Sequence, residues 1–184
     1  MSILAGILYS NEILFQGFID GLVYALIAMG LVLIYKATGV INFEQGAIGT
    51  FGGFVMGMLM VNYGLPYWLA AILAIAASAA VSTVTELLVV RRLFTKPRLL
   101  LFVATLGVAQ LVALIQIWLP TVDERVDYPT PIKGYWEIGG LDILLRGEQI
   151  TVLIVVPFLV IVLGYLLQKT RFGLAVRSAA DNPG

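Results

Sequence analysis

Few side chains in this sequence are suited to chemistry. The chain contains no Cys and no His, which excludes disulfides, thiol nucleophiles, imidazole bases and Cys/His metal sites. It has no Walker-type GxxxxGK[ST] loop with which to bind ATP, and we expect no cofactor, no metal and no enzymatic activity in this chain. The polar residues that stand out beside or within long apolar stretches are Asp20, Asn42, Glu44 and Gln45, the last followed by Gly46.

These residues must be positioned by helices in a membrane. Of the 184 residues, 60% are apolar and 12% are charged, whereas soluble domains have about 45–50% and about 25%. The eleven basic and eleven acidic residues cancel, so the chain has no overall charge with which to attract nucleic acid. We therefore expect an all-α, multi-pass membrane helix bundle that contacts lipid.

The apolar stretches predict about five transmembrane helices. One crossing takes about 20 apolar residues in a helix. The uncharged stretch 45–85 is too long for one crossing, and the turn-forming residues 62–66 divide it, because Pro fixes φ while Gly and Asn accept positive φ. The predicted spans are 13–35, 43–61, 67–90, 99–119 and 150–168.

The basic residues predict the orientation. An odd number of spans puts the two termini on opposite sides, and eight of the eleven Lys and Arg residues fall on one of these sides. That side is cytoplasmic by the positive-inside rule. The N-terminus is then outside, residues 120–149 form an outside loop, and residues 170–184 form a cytoplasmic segment at the C-terminus.

The polar run before the second span has two interpretations. Asn42 is a good N-cap, Gln45 can return a bond to its backbone N–H as in a capping box, and Glu44 suits the positive end of the helix dipole. In one interpretation these residues simply begin a span at the cytoplasmic interface. In the other the break lies deeper, and Asn42, Glu44, Gln45 and Gly46 face a transport pathway. The sequence alone favours neither.

Small residues recur at every fourth position in the first two spans. They are Gly17 and Gly21 in the first span and Gly49, Gly53 and Gly57 in the second. This spacing places small residues on one helix face and lets two backbones approach closely. We expect these two helices to pack against each other.

Asp20 is an acid within the first predicted span. A carboxylate inside the bilayer is costly and is by default a hypothesis for a functional site. The alternative is that the span starts later and that Asp20 lies among the outer headgroups.

Four segments carry a resemblance to a known family. Residues 24–31 read Tyr-Ala-Leu-Ile-Ala-Met-Gly-Leu, and the next segment, interrupted at Glu44, reads Gly-Val-Ile-Asn-Phe at residues 39–43 and Gln-Gly at residues 45–46. Residues 105–107 read Thr-Leu-Gly, and residues 170–177 read Thr-Arg-Phe-Gly-Leu-Ala-Val-Arg, followed by Ala180, Asn182 and Pro183. These segments resemble the branched-chain amino acid ABC transporter permeases, most closely the smaller of the two permeases in that system.

The resemblance implies a transport subunit in the inner (plasma) membrane, built as a single transmembrane permease domain of which this chain is the N-terminal portion. It implies inward movement of a branched-chain amino acid or a related small polar solute. It also implies a second permease subunit, two cytoplasmic ATP-binding subunits that hold the ATP, and an external solute-binding protein. Segment 170–184 resembles the loop that couples the permease to its ATPases, through Gly173, Ala175, Arg177 and Ala180.

Two departures from the family pattern leave alternatives open. Glu44 stands where the family usually has a small residue, and Ala47 stands where an acid often follows the glycine. The family's permeases are also longer than this chain, which stops within the coupling segment. The alternatives are a small oligomeric channel, which conducts without nucleotide, and a fragment that does not transport.

Overall fold

The computed structural model describes residues 2–120, 130–138, 143–171, 173–174 and 178. The elements in chain order are α1 (Ser2–Thr38), α2 (Glu44–Val61), α3 (Tyr67–Thr85), a π-helical turn (Glu86–Val90), α4 (Arg91–Leu93), α5 (Arg98–Trp118), β1 (Tyr135–Ile138), β2 (Ile143–Arg146) and α6 (Gly147–Lys169).

Four stretches of described helix are long and apolar enough to cross a membrane. They are Asn11–Lys36, Tyr67–Leu93, Arg98–Trp118 and Gly147–Lys169. They coincide with four of the five predicted spans, which confirms the all-α, multi-pass membrane architecture.

The fifth predicted span corresponds to α2. This helix has 18 residues and is about 27 Å long at about 1.5 Å per residue. It begins with Glu44 and Gln45, which lower its mean hydropathy, and it is not among the four stretches that meet the criteria for a crossing. The outside position of the N-terminus stays a prediction.

One compact unit comprises residues 31–129. Within it α2 packs against both α3 and α5. The buried core lies where the three helices meet and consists of Phe51, Val55, Ala74, Val108 and Val112. Burial of these side chains, more than helix propensity, fixes how the three helices pack.

The closest backbone approach in this packing is at Gly52 of α2. A Cβ added there would overlap the hydroxyl oxygen of Ser78 on α3, and this hydroxyl donates back to the carbonyl of Ile48 at 3.4 Å. A glycine at this position therefore lets α3 lie directly against the α2 backbone.

The other compact unit comprises residues 1–30 and 130–184. Where the sequence predicted only an outside loop, β1 and β2 form an antiparallel hairpin that pairs Tyr135 with Arg146 and Ile138 with Ile143. Helix α6 then begins at Gly147, three residues before the predicted span, because the Gln149 side-chain oxygen accepts from the Arg146 backbone N–H at 2.9 Å. This bond is the returning half of a capping box.

Candidate functional site

Helix α1 ends at Thr38, directly before the polar run. Gly39 takes a left-handed φ of +70°, and its N–H donates to the Tyr35 carbonyl at 2.8 Å. The Thr38 hydroxyl donates to the Ile34 carbonyl at 2.8 Å. Glycine accepts this φ without a Cβ penalty, so it stops the helix and turns the chain.

Asn42 lies just before the start of α2, which begins one residue later than we expected. The N-cap position is Phe43, not Asn42. The side-chain oxygen of Asn42 accepts from the Glu44 backbone N–H at 3.0 Å, which is a short Asx-type turn. Asn42 therefore accepts a hydrogen bond from the first residue of α2, but it is not the N-cap that we predicted.

Thr105 holds this junction against α5. Its hydroxyl oxygen accepts from the Phe43 backbone N–H at 3.4 Å and donates to the Phe102 carbonyl at 2.9 Å. Thr105 is only 1% exposed. The Phe43 and Phe102 rings pack edge to face with centroids 5.0 Å apart, a favoured aromatic geometry. In the sequence, Thr105 was noted only as part of a segment that resembles the permease family, and no role was predicted for it.

The junction lies well inside the length of α5. Arg98 is the first residue of α5, and Thr105 lies seven residues further along, which is about 10 Å at about 1.5 Å per residue. Since α5 is one of the four candidate spans, α2 begins about two turns in from the end of a neighbouring span. The residues that precede the junction, Gly39 to Ile41, lie beside Arg98 at the end of α5.

Glu44 is the buried charge of the site. Its side chain is only 2% exposed, and one carboxyl oxygen, Oε2, is buried with no hydrogen-bond partner among the described residues. Asn42 hydrogen-bonds the carboxyl, and Glu86 on the π-helical turn interacts with it electrostatically. Glu86 was not predicted as a site residue, because only the packing of α3 against α2 brings Glu86 near Glu44.

Gln45 and Gly46 complete the predicted run. Gln45 is half-buried and Gly46 is exposed, and the Gly46 carbonyl accepts from the Thr50 hydroxyl at 2.9 Å. An added Cβ at Gly46 would meet no atom within 4 Å among the described residues. The structure therefore brings Asn42 and Glu44 together with Thr105, while Gly46 faces away from the packing.

An open groove lies beside the same junction. Its volume is about 360 Å³ and its walls are almost entirely apolar. The lining residues are Tyr35, Gly39, Val40, Ile41, Arg98, Leu99 and Phe102. Phe102 is shared by the groove and the aromatic pair.

Four of the five ladder glycines are not points of close approach within the described chain. An added Cβ at Gly17, Gly21, Gly49 or Gly53 would meet no atom within 4 Å. Gly57 is buried. The glycine pressed against a neighbouring helix is Gly52, which lies outside the four-residue spacing. The packing of the first two spans through these ladders stays a prediction.

Of the predicted coupling residues, Gly173 is described, and Ala175, Arg177 and Ala180 lie outside the described residues. The backbone N–H of Gly173 donates to the Thr170 hydroxyl at 3.3 Å. A Cβ at Gly173 would overlap the Leu167 carbonyl. The chain thus folds back closely over the end of α6, and only glycine fits this approach.

Asp20 lies in a polar chain of the other compact unit. Gln16 donates to the Asp20 carboxylate at 3.0 Å, and Gln149 of α6 donates to the Gln16 side-chain oxygen at 2.7 Å. Asp20 and Gln16 are exposed. The acid that looked unusual in sequence therefore has a hydrogen-bond partner one helical turn away.

Known proteins are similar to this chain over most of its length. The family model described as the branched-chain amino acid transport system permease component matches residues 13–184. No solved structure matches the chain.

Curated relatives carry the same description. The probable branched-chain amino acid transport permease protein LivH of Methanocaldococcus jannaschii is 30% identical over 167 residues, covering 86% of this chain and 51% of the relative. The high-affinity branched-chain amino acid transport system permease protein LivH of Escherichia coli K12 is 25% identical over 188 residues, covering 95% of this chain and 60% of the relative. The Salmonella typhimurium protein of the same description has the same identity and coverage.

The chain thus spans between half and three fifths of the length of these relatives. The family match extends over nearly all of it and includes the Asn42–Thr105 junction and the segment after α6. The chain belongs to the family of branched-chain amino acid transport permease components.

Proposed function

We propose that this chain acts as a membrane-spanning permease subunit of an ABC importer. The solute is a branched-chain amino acid or a related small polar molecule, moved inward. The proposal is supported by the family match and by the printed names of the relatives, which describe branched-chain amino acid transport.

The observation that carries the proposal is the polar junction between α1 and α2. A buried carboxyl group there adjoins irregular backbone, and the Phe43–Thr105 hydrogen bond joins the junction to α5 about two turns from the first residue of that candidate span. Irregular backbone and buried charge within a membrane occur where a pathway or binding site lies. Of the two interpretations of residues 39–46, this geometry supports the deeper one.

In the proposed mechanism the chain itself performs no covalent chemistry. Two cytoplasmic ATP-binding subunits bind and hydrolyse ATP, and their motion reaches the permease through residues 170–184. Gly173, packed against the Leu167 carbonyl, ties this segment to the end of α6, so that displacement of the segment tilts the helix. A second permease subunit completes the pathway, and an external solute-binding protein delivers the solute at the inner membrane.

The test combines composition with transport. Native mass spectrometry of the complex, extracted from its own membrane in mild detergent, should show a second permease and two ATP-binding subunits. Leucine uptake by the reconstituted complex should require both ATP and the solute-binding protein. A homo-oligomer without ATP-binding subunits, conducting in the absence of nucleotide, would instead establish a channel.

A further inference from the structure

Glu44 poses a problem of charge that the described chain does not solve. Its carboxyl group is 2% exposed, and its Oε2 has no hydrogen-bond partner among the described residues. A buried carboxylate is costly unless it is paired with a cation or fully hydrogen-bonded. Within the described ranges the ion pair found joins Arg146 to Glu148, and no Lys or Arg is paired with Glu44.

The surroundings of Glu44 favour a positive ligand. The nearby charged group that acts on the carboxyl is another carboxylate, Glu86, while the Asn42 side chain supplies one hydrogen bond. Two carboxylates near one another raise the local affinity for a cation. The Oε2 atom offers an acceptor for which the described residues provide no donor.

We propose that the Glu44 carboxylate binds the primary ammonium group of the transported solute. This assignment rests on the proposed function, since it names the ligand group of the same site. A primary ammonium has three N–H donors, which suits a free carboxylate oxygen beside an amide side chain. The bond is a charge-assisted one, stronger than a neutral hydrogen bond.

Access to Glu44 requires the junction to open. The carboxyl is closed off in this structure, so the solute reaches it only when the start of α2 moves away from α5. The contacts between Phe43 and α5 that must break are the Phe43–Thr105 hydrogen bond of 3.4 Å and the Phe43–Phe102 ring pair. Gly39, at φ +70°, lies at the α1 end of the junction and can accommodate the backbone change.

The first experiment measures leucine uptake by the reconstituted complex. Glu44→Gln keeps the size of the side chain and removes its charge, and we expect uptake to fall about tenfold or more, as for one lost bond to a charged group. Glu44→Asp should restore part of it. Glu12→Gln, at an exposed position in α1, is the matched control and should transport like the wild type.

The outcomes separate the two proposals. If the wild-type complex takes up no leucine with ATP and the solute-binding protein present, the proposed function fails. If the wild type transports and Glu44→Gln transports equally well, the ammonium assignment fails. If Glu44→Gln no longer co-purifies with the second permease subunit, Glu44 pairs with that subunit instead, and the assignment also fails.

A second experiment does not depend on transport. Membranes containing the assembled complex are treated with dicyclohexylcarbodiimide, which modifies carboxyl groups in apolar surroundings, and modification of Glu44 is quantified by peptide mass spectrometry. Leucinamide, which carries the ammonium group, should protect Glu44. The amide 4-methylpentanamide, which is leucinamide without the ammonium group, should not.

Inorganic cations are tested as a further control in the same modification experiment. Sodium and potassium chloride at the same concentration should leave the modification of Glu44 unchanged. Protection by either salt equal to that by leucinamide would show a site for an inorganic cation and overturn the proposal. Equal modification with and without leucinamide, or no modification under any condition, would overturn it as well.

Discussion

Two polar clusters in this chain differ in how far they are buried and in whether their polar atoms are hydrogen-bonded. The chain Asp20–Gln16–Gln149 has exposed members at its Asp20 end, and its side chains bond one another at 2.7–3.0 Å. In the Asn42–Glu44–Thr105 junction Glu44 and Thr105 are buried, and Oε2 of Glu44 has no hydrogen-bond partner in the part of the chain that the structure describes. A satisfied polar cluster stabilises helix packing, whereas a buried unsatisfied one costs free energy and is the better candidate for a ligand site.

The comparison also separates two acids that the sequence left undecided. Asp20 and Glu44 each had a functional interpretation and an ordinary one. In the structure Asp20 is exposed and bonded, and Glu44 is buried. The predictions below test how far the two clusters differ, from the largest expected effect to the smallest.

The packing that buries the junction should be most sensitive at Gly52. Gly52→Leu forces a side chain into Ser78 of α3, and overpacking of this kind costs about 3 kcal/mol of the free energy of unfolding. Gly53→Leu, where an added Cβ meets nothing within 4 Å, is the matched control. The measurement is thermal or SDS-induced unfolding of the purified chain in detergent, and equal stability of the two variants would contradict this packing.

The hydroxyl of Thr105 should matter next. Thr105→Val keeps the shape of the side chain but removes both hydrogen bonds of a side chain that is only 1% exposed and leaves the Phe43 N–H without its acceptor, a loss of about 2 kcal/mol. Thr83→Val removes one bond at an exposed position of α3 and should cost much less. Unfolding curves for the two variants that coincide would show that the junction is not held by Thr105.

Asn42→Ala should cost about 1 kcal/mol, the usual loss for a capping side chain. It removes the acceptor for the Glu44 N–H at 3.0 Å and the side-chain bond to the carboxyl. Unfolding and leucine uptake are measured on the same preparation. Reduced stability with normal uptake per folded molecule would assign Asn42 a capping role only.

Substitutions in the hydrogen-bonded cluster Asp20–Gln16–Gln149 should have the smallest effect on the free energy of unfolding. A double-mutant cycle on Gln16→Leu and Gln149→Leu should yield a coupling free energy of about 0.6 kcal/mol, the average for side-chain hydrogen bonds between membrane helices. The readout is unfolding in detergent for the two single variants and the double variant. A coupling larger than the loss at Thr105 would remove the distinction drawn between the two clusters.

Much of the fold was predictable because the membrane imposes simple rules. The lengths of the apolar stretches and the break at residues 62–66 located four spans close to their observed bounds. The hairpin of β1 and β2 was not predicted, since its short strands lie in a polar stretch without a marked alternation. The start of α6 was misplaced by three residues because the Gln149 cap was not recognised.

The candidate site was predictable only in part. Asn42 and Glu44 were identified from residue type and position, because polar residues between apolar stretches are conspicuous. Thr105 and Glu86 are distant in sequence, and their proximity to Glu44 follows from how α3 and α5 pack on α2. The close approach at Gly52 rather than at the Gly49–Gly53 ladder likewise depends on which face of α2 meets α3.

The sequence by itself determined that this chain is a multi-pass membrane protein and where its helices lie, since hydropathy and turn residues act locally along the chain. It also carried the family resemblance that the comparisons confirm. Only the tertiary structure decided which polar residues are buried together, because burial depends on contacts between residues far apart in sequence. For that reason Asp20 proved to be exposed and bonded, while Glu44 is buried with a carboxyl oxygen unpartnered among the described residues.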